Sequence, residues 1–383
     1  MATRSNGRNG AGRRSRNGRE PGGDGAPVVN LALQGGGSHG AFTWGVLDAL
    51  LEDGRVDFEG ISGASAGAMN AVMLAEGWRR GLEEGKAPRA AAREHLTRFW
   101  NAVGERPAGF GMPNAVPWFA PQYGTQQATL MFDLVSRVFS PYQLNPFDVN
   151  PLRDVLKPLV DFPALRAKSP FRLFVSATNV RTGRPRVFRE HELELDMLLA
   201  SAALPFAFHA VEVDKQFYWD GGYVGNPSLY PLFYATSTRD LLLVQINPLV
   251  RDDVPDTAQE IIERVNEISF NTALLHELRA IAFVERLLTE HKLDPAKYKR
   301  INMHMIQAEE QLRKYGAASK TYAGSGFLKE LFELGRRTAI DWRSRPPCDS
   351  RWPDPPRSRG SSWTAREPSP GRCSTARRSR PGR

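Results

Sequence analysis

The sequence predicts an α/β fold of three layers, α/β/α, with helices on both faces of a mainly parallel central sheet. Three observations predict it. The apolar run 28–33 stops at glycines, and residues 40–51 follow with Ala41, Trp44, Leu47, Leu50 and Leu51 at helical spacing. A second apolar run, 58–62, leads through Gly63-Ala64-Ser65-Ala66-Gly67 into an apolar helical stretch reaching about Trp78. Strand–helix–strand–helix is the order of a parallel sheet, because parallel neighbours need a crossover and helices cover the faces. Further apolar runs at 171–178 and 241–246 have the length and composition of buried strands.

The remaining elements follow in order. Residues 79–165 are rich in Pro, Gly and aromatics, among them Pro107, Phe110, Pro113, Pro117, Trp118 and Phe119. They read as helices joined by long loops, the expected wall or lid of a substrate cleft. The turn Thr182-Gly183-Arg184-Pro185 leads to a strand at 187–188, and 197–203 is a short helix ended by Leu204-Pro205. Residues 211–219 form a hairpin arm running into Asp220-Gly221-Gly222. Residues 257–290 carry Ile261, Val265, Ile268, Leu275, Leu278, Ala282 and Leu288 on one helical stripe, expected to pack against the body. The expected organisation is one domain over 27–250, a helical extension over 251–342 packed on it, and disordered tails at 1–26 and 343–383.

Charge sets those tails apart. Residues 1–26 hold six Arg against Glu20 and Asp24, and residues 343–383 hold eleven Arg against Asp349, Asp354 and Glu367. The tails carry +4 and +8 of an overall +9, which leaves −3 for the body. The C-terminal stretch has no Leu, Ile, Val, Phe, Met or Lys and cannot bury enough apolar surface to offset its ordering entropy. It is expected to be an unstructured extension, and the break after Trp342 is abrupt enough to suggest a shifted reading frame. Its arginines admit peripheral contact with an anionic membrane surface; no nucleic-acid partner is expected. Both cysteines, Cys348 and Cys373, lie there, so the body has no thiol chemistry, disulfide or cysteine-metal site. No apolar run reaches the roughly 18–20 residues of a membrane span. The first 26 residues lack a signal peptide's apolar segment, so the expected location is the cytoplasm.

Three motifs carry chemistry. Gln34-Gly35-Gly36-Gly37-Ser38-His39-Gly40 follows the first strand, and its unobstructed N–H groups at a helix N-terminus make an anion cradle. For acyl transfer the anion is the tetrahedral oxyanion, and each such donor is worth roughly 2.7–4 kcal/mol. Gly35, Gly37 and Gly40 also satisfy G-x-G-x-x-G, but a dinucleotide site wants an acidic residue after the second strand. Asp57 and Glu59 precede or open that strand instead. What ends it is the second motif, a G-x-S-x-G box with Ser65 between Gly63 and Gly67, where a sharp turn holds the hydroxyl out beside a helix N-terminus. The third is Asp220-Gly221-Gly222. An aspartate there can take a serine proton directly only in a dry pocket, for which Tyr218, Trp219 and Tyr223 are the candidate walls. A triad is the rival arrangement: His276, His291 and His304 follow Asp220, but all are expected on C-terminal helices without a loop signature, and His95, His191 and His209 precede it.

The order of these motifs resembles the patatin-like phospholipases: glycine loop, G-x-S-x-G about 28 residues later, and D-G-G about 155 residues beyond Ser65. Ser201-Ala202-Ala203-Leu204-Pro205-Phe206-Ala207-Phe208 is similar to the family's small-residue segment ahead of the aspartate, and the resemblance spans roughly residues 28–248. It implies a three-layer fold with a nucleophile-elbow serine, and hydrolysis of lipid acyl esters by a serine–aspartate dyad without catalytic histidine, metal or other cofactor. By position, Ser65 is then the nucleophile and Asp220 the base. Gly35, Gly36, Gly37, Ser38, His39 and Gly40 form the oxyanion hole, and Gly63, Gly67, Gly221 and Gly222 shape the turns. The implied partner is a lipid or acyl-ester substrate. One residue departs from the pattern: the family's loop usually carries Arg before its last glycine, and here that position is His39. Histidine is mostly neutral at pH 7, so its expected role is a structural hydrogen bond. A patatin-like fold that binds lipid without catalysis is the alternative.

Overall fold

The computed structural model describes residues 26–106, 139–251, 254–316, 319–320 and 322–344. Residues 1–25, 345–383 and the centre of the expected cleft wall, 107–138, lie outside the described residues, while Arg343 and Ser344, expected in the C-terminal tail, end the last helix. Five strands run parallel: β1 (Val28–Leu33), β2 (Asp57–Ala64), β3 (Arg172–Asn179), β7 (Asp240–Gln245) and β8 (Asn302–Gln307). Strands β4 (Pro185–Arg189) and β6 (Gln216–Asp220) pair antiparallel with β3, and β5 (Val211–Val213) closes a hairpin with β6. The sheet order is β5-β6-β3-β2-β1-β7-β8, with β4 beside β3.

Successive residues of a strand point to opposite faces, so fully buried strands need helices on both sides. Leu31, Leu33, Ile61, Leu173 and Val175 share a core with α1 (Gly40–Asp53), α2 (Ala66–Glu83), α3 (Pro88–Gly104) and α11 (Ser325–Ser344). Ala32, Phe174, Leu241 and Leu243 face the other way, onto α8 (Tyr230–Ala235) and α9 (Ala258–Thr289). Between these lie the shorter α4 (Pro141–Leu144), α5 (Pro151–Leu159), α6 (Phe162–Lys168), α7 (Leu195–Ser201) and α10 (Glu309–Arg313). The observed fold is therefore the three-layer α/β/α sandwich with a mostly parallel sheet. β1 lies between β2, which follows it in the chain, and β7, which the chain reaches only after β6. A crevice at the carboxyl ends of such strands is where open α/β sheets bind ligands. The glycine loop follows β1 and Ser65 follows β2, so both motifs lie at those carboxyl ends.

The C-terminal third differs from its expected form in two ways. Residues 251–342 are not helical throughout, because 302–307 form the parallel edge strand β8, with His304 on it. The apolar stripe of α9 does not face inward along its N-terminal half: Ile261, Val265 and Ile268 are exposed, whereas Glu267, Asn271 and Leu274 are buried. The reason is what this half of the helix covers. Asn271 donates to the Pro248 carbonyl at 2.8 Å, and Glu267 pairs with Arg251 at 2.8 Å and Arg264 at 3.3 Å. Loop ends carrying unpaired polar groups need hydrogen-bond partners more than they need apolar cover.

Helix α11 is part of the body. Gly335 and Gly45 face each other across α1 and α11, where a side-chain carbon on either would run into the carbonyl of Phe42 or Phe332. Arg336 pairs with Asp48 and Glu52, and Arg343 with Asp53 at 3.1 Å. Gly335→Leu is expected to force the helices apart and lower stability by about 2–3 kcal/mol, seen as an earlier urea midpoint. An unchanged midpoint would show that α11 contributes little to the core. Among the described residues, no helix is long and apolar enough to cross a membrane.

Candidate active site

Ser65 sits in the turn between β2 and α2 with φ 52° and ψ −126°. A side chain held at positive φ is strained, and such strain persists only where the surroundings over-determine it. Here the Ser65 N–H is shared between the carbonyl and hydroxyl of Ser201, at 3.1 and 3.0 Å. The Ser201 hydroxyl in turn donates to the Ser176 carbonyl at 2.7 Å. The Ser65 carbonyl begins the α2 ladder by accepting from the Met69 N–H. Gly63 and Gly67 are pressed against backbone, Gly67 onto the Leu33 carbonyl, so the turn has no room for larger residues. All backbone groups of Ser65 are engaged while its hydroxyl stays outside that network.

Asp220 ends β6, opposite Ala177 of β3, and is completely buried. Its Oδ1 accepts the Gly222 N–H at 2.7 Å. Its Oδ2 is buried without a partner of full hydrogen-bond geometry among the described residues, and the Ser65 hydroxyl is the neighbouring side chain that acts on the carboxyl as a donor. Burial pushes the Asp220 pKa up to about 7, with the Gly222 N–H and the Ser65 hydroxyl pulling against it. The dry wall comes partly from an unexpected element. Phe270 of α9 packs on Tyr223 with ring centroids 5.0 Å apart and closes on Gly222, while Gly221 lies against the Ser176 carbonyl. Burial and the charge of Asp220 also raise the Tyr223 phenol. Tyr218 shares Asp220's side of the strand and is buried, whereas Trp219 points to the opposite side.

The glycine loop divides into donors already used and donors left over. Gly35 donates its N–H to Asn226 Oδ1 at 2.6 Å, His39 donates to the Gly36 carbonyl at 3.2 Å, and Gly40 to Gly37 and Ser38. The N–H groups of Gly36, Gly37 and Ser38 have no acceptor among the described residues. The six-residue cradle expected from the sequence thus reduces to three open amides. Gly35 serves by proximity: a Cβ there would lie 2.7 Å from Ser65 Cβ, so only glycine brings the loop this close to the serine. His39 is buried, with Nε2 2.7 Å from Ser319 Oγ. Burial, reinforced by the Lys320 charge, lowers its pKa to about 3, so the imidazole is neutral.

Gln34, quoted in the motif without a role of its own, and two asparagines outside the three motifs hold this loop. Gln34 Oε1 accepts the N–H groups of Ile246 and Asn247, each at 2.9 Å, tying the end of β1 to the end of β7. Asn226 brackets Gly35, its Nδ2 donating to the Gly35 carbonyl at 3.3 Å, and Asn247 Nδ2 donates to the same carbonyl at 2.8 Å. Both asparagines precede proline, at 227 and 248, and Asn-Pro is a turn signal that marks them in sequence. No hydrogen bond links His276, His291 or His304 to Ser65 or Asp220 among the described residues; His304 bonds Asp240 at 2.8 Å. Glu59 binds the N–H groups of Ser237 and Thr238 at 2.6 and 2.8 Å, away from the glycine loop, so it has no place in a dinucleotide site. Among the described residues, no three His, Cys, Asp or Glu side chains cluster as metal ligands.

With this geometry in view, comparison with known proteins is specific. Solved structures that match include VipD from Legionella pneumophila, at TM-score 0.36 and 15% identity over 80% of this chain and 66% of that one. A chain of the heterodimeric ExoU–SpcU complex from the type III secretion system of Pseudomonas aeruginosa matches at TM-score 0.28 and 17% identity, over 83% of this chain. The chain spans about two thirds of the first of these and 51% of the second. No curated protein matches the sequence. The family model for patatin-like phospholipase matches residues 31–236, more than half of the sequence and all three motifs, and the chain belongs to that family.

Proposed function

We propose that this protein is a serine acyl hydrolase that cleaves lipid acyl esters through an acyl-Ser65 intermediate, with Asp220 as its base. Membership of the patatin-like phospholipases gives the coarse class, lipid acyl hydrolysis. The observation that carries the finer reading is the completely buried Asp220 carboxyl, whose Oδ2 has no partner of full hydrogen-bond geometry among the described residues and on which the Ser65 hydroxyl acts as a donor. An ordinary aspartate is too weak a base for serine, and burial narrows that gap by raising its proton affinity.

The steps follow from the positions of the groups. Ser65 Oγ attacks the ester carbonyl carbon as its proton passes to Asp220 Oδ2. The carbonyl oxygen becomes an oxyanion facing the amides of Gly36, Gly37 and Ser38, with the α2 N-terminus adding its positive end. Collapse breaks the bond to the alcohol, which takes the proton from Asp220 and leaves. Water then gives a proton to Asp220 and attacks the acyl carbon. The second collapse releases the carboxylic acid, and Ser65 Oγ recovers the proton.

The neutral His39 motivates the alternative, a lipid-binding protein of this fold without turnover. A fluorophosphonate probe separates the two, because it labels only a serine that is activated as a nucleophile. The expected result is one covalent adduct per chain at Ser65, no adduct on Ser65→Ala, and turnover of some member of a panel of acyl esters. An intact mass unchanged by the probe, with no ester turned over, would favour the non-catalytic protein.

A further inference from the structure

The glycine loop carries no charge of its own, and a cation reaches it from nearly 300 positions away in the chain. Residues 319–320 cross the loop: a side-chain carbon at Gly37, whose φ is +56°, would collide with the Lys320 carbonyl. Ser319 Oγ donates its single proton to the Gly316 carbonyl at 2.7 Å. Toward His39 it must therefore accept, which places the imidazole proton on Nε2 and leaves Nδ1 buried without a partner among the described residues. Position 39 thus docks the crossing segment and supplies no charge.

Lys320 Nζ donates to Asn247 Oδ1 at 2.8 Å, and Asn247 Nδ2 donates to the Gly35 carbonyl at 2.8 Å. That carbonyl shares a peptide plane with the Gly36 N–H, one of the three open amides. Hydrogen bonds in series polarise one another, and a chain headed by a cation does so more strongly. Electron density drawn toward the Gly35 oxygen makes the Gly36 proton a better donor to a developing oxyanion.

We propose that Lys320 is a positioning residue of the oxyanion site, acting through Asn247 and the Gly35–Gly36 peptide to supply the positive charge that His39 does not. The inference rests on the acyl-hydrolase reading and adds a residue from outside the family-matched segment to the same site. It makes residues 319–320 part of the catalytic apparatus as well as of the packing.

The test uses the full chain and a short acyl ester. Lys320→Met is expected to lower kcat by at least about tenfold, since it weakens a transition-state donor, while KM stays within about twofold. Lys320→Arg should keep most of the rate. His39→Arg, added to Lys320→Met, should restore much of it by placing a cation on the loop itself. A loss that neither arginine repairs, with a raised KM or a lower melting temperature, overturns the proposal in favour of simple packing. Wild-type kcat in Lys320→Met, alongside an inactive Ser65→Ala, overturns the role of the lysine and leaves the hydrolase reading standing. Hydrolysis that survives Ser65→Ala removes the reading beneath both.

Discussion

Replacement of Ser65 by Ala is expected to reduce ester turnover by about 10⁴-fold or more while leaving the fold intact. The hydroxyl belongs to none of the backbone hydrogen bonds at the turn, which run through the Ser65 N–H and carbonyl to Ser201 and Met69. Alanine keeps those bonds and the strain of φ 52° alike. Glycine keeps the bonds and removes the strain, because it has no Cβ to clash at positive φ. Ser65→Gly should therefore be as inactive as Ser65→Ala yet melt at a higher temperature. The relieved strain, of order 1–3 kcal/mol, is partly offset by the greater freedom of glycine in the unfolded chain. Melting curves of the three proteins read this directly. A glycine variant that melts below the alanine variant would mean the turn is not strained.

The second large effect is at Asp220. Asn keeps the shape and the acceptor for the Gly222 N–H but cannot take a proton, so Asp220→Asn should lower kcat by roughly 10³–10⁴-fold. Its effect on stability has the opposite sign. The folded pKa, about 7, lies above the ordinary 3.8, so the native state holds this proton more tightly than the unfolded chain does. The stability from this group is fully present below about pH 4 and is lost as pH rises through about 7. Asn has no charge to bury. The variant should match wild type near pH 4 and exceed it by roughly 2–4 kcal/mol at pH 8, with the difference growing between those limits. The same titration shapes catalysis. The base is ionised only above about 7, so kcat/KM should climb along a one-proton limb and level off above it. A rate that stays flat from about pH 5 to pH 9 would remove Asp220 from the role of base.

How much of this was legible in the sequence depends on how local the causes are. β1, α1, β2 and α2 were readable because each apolar run is bounded by glycines that the structure uses, and Ser65 because its turn is encoded within five residues. Asp220 was readable from its own D-G-G turn. Which amides of the glycine loop stay open was not readable. That is decided partly by Asn226, 191 positions from Gly35, which takes the Gly35 N–H and which nothing local to the loop announces, and partly by the carbonyls of Gly36, Gly37 and Ser38, which take the N–H groups of His39 and Gly40. The strand β8 escaped notice because it is a half-buried edge strand of mixed residues, Asn-Met-His-Met-Ile-Gln, among longer helical periods. The inward face of α9 was misread for a physical reason: periodicity finds the apolar side of a helix, and this helix covers polar loop ends.

The placement of β7 and β8 also bears on how the protein can be cut. The family match stops at residue 236, yet one whole flank of β1 is closed only by β7, and β7 only by β8. A fragment ended at the family boundary would hold both candidate catalytic residues and still leave Asn30-Leu31-Ala32-Leu33 as an open, apolar margin of unpaired backbone. Such margins recruit other chains. Expression of the matched segment by itself should thus yield inclusion bodies, and the smallest fragment worth purifying ends after Ser344, where α11 is complete.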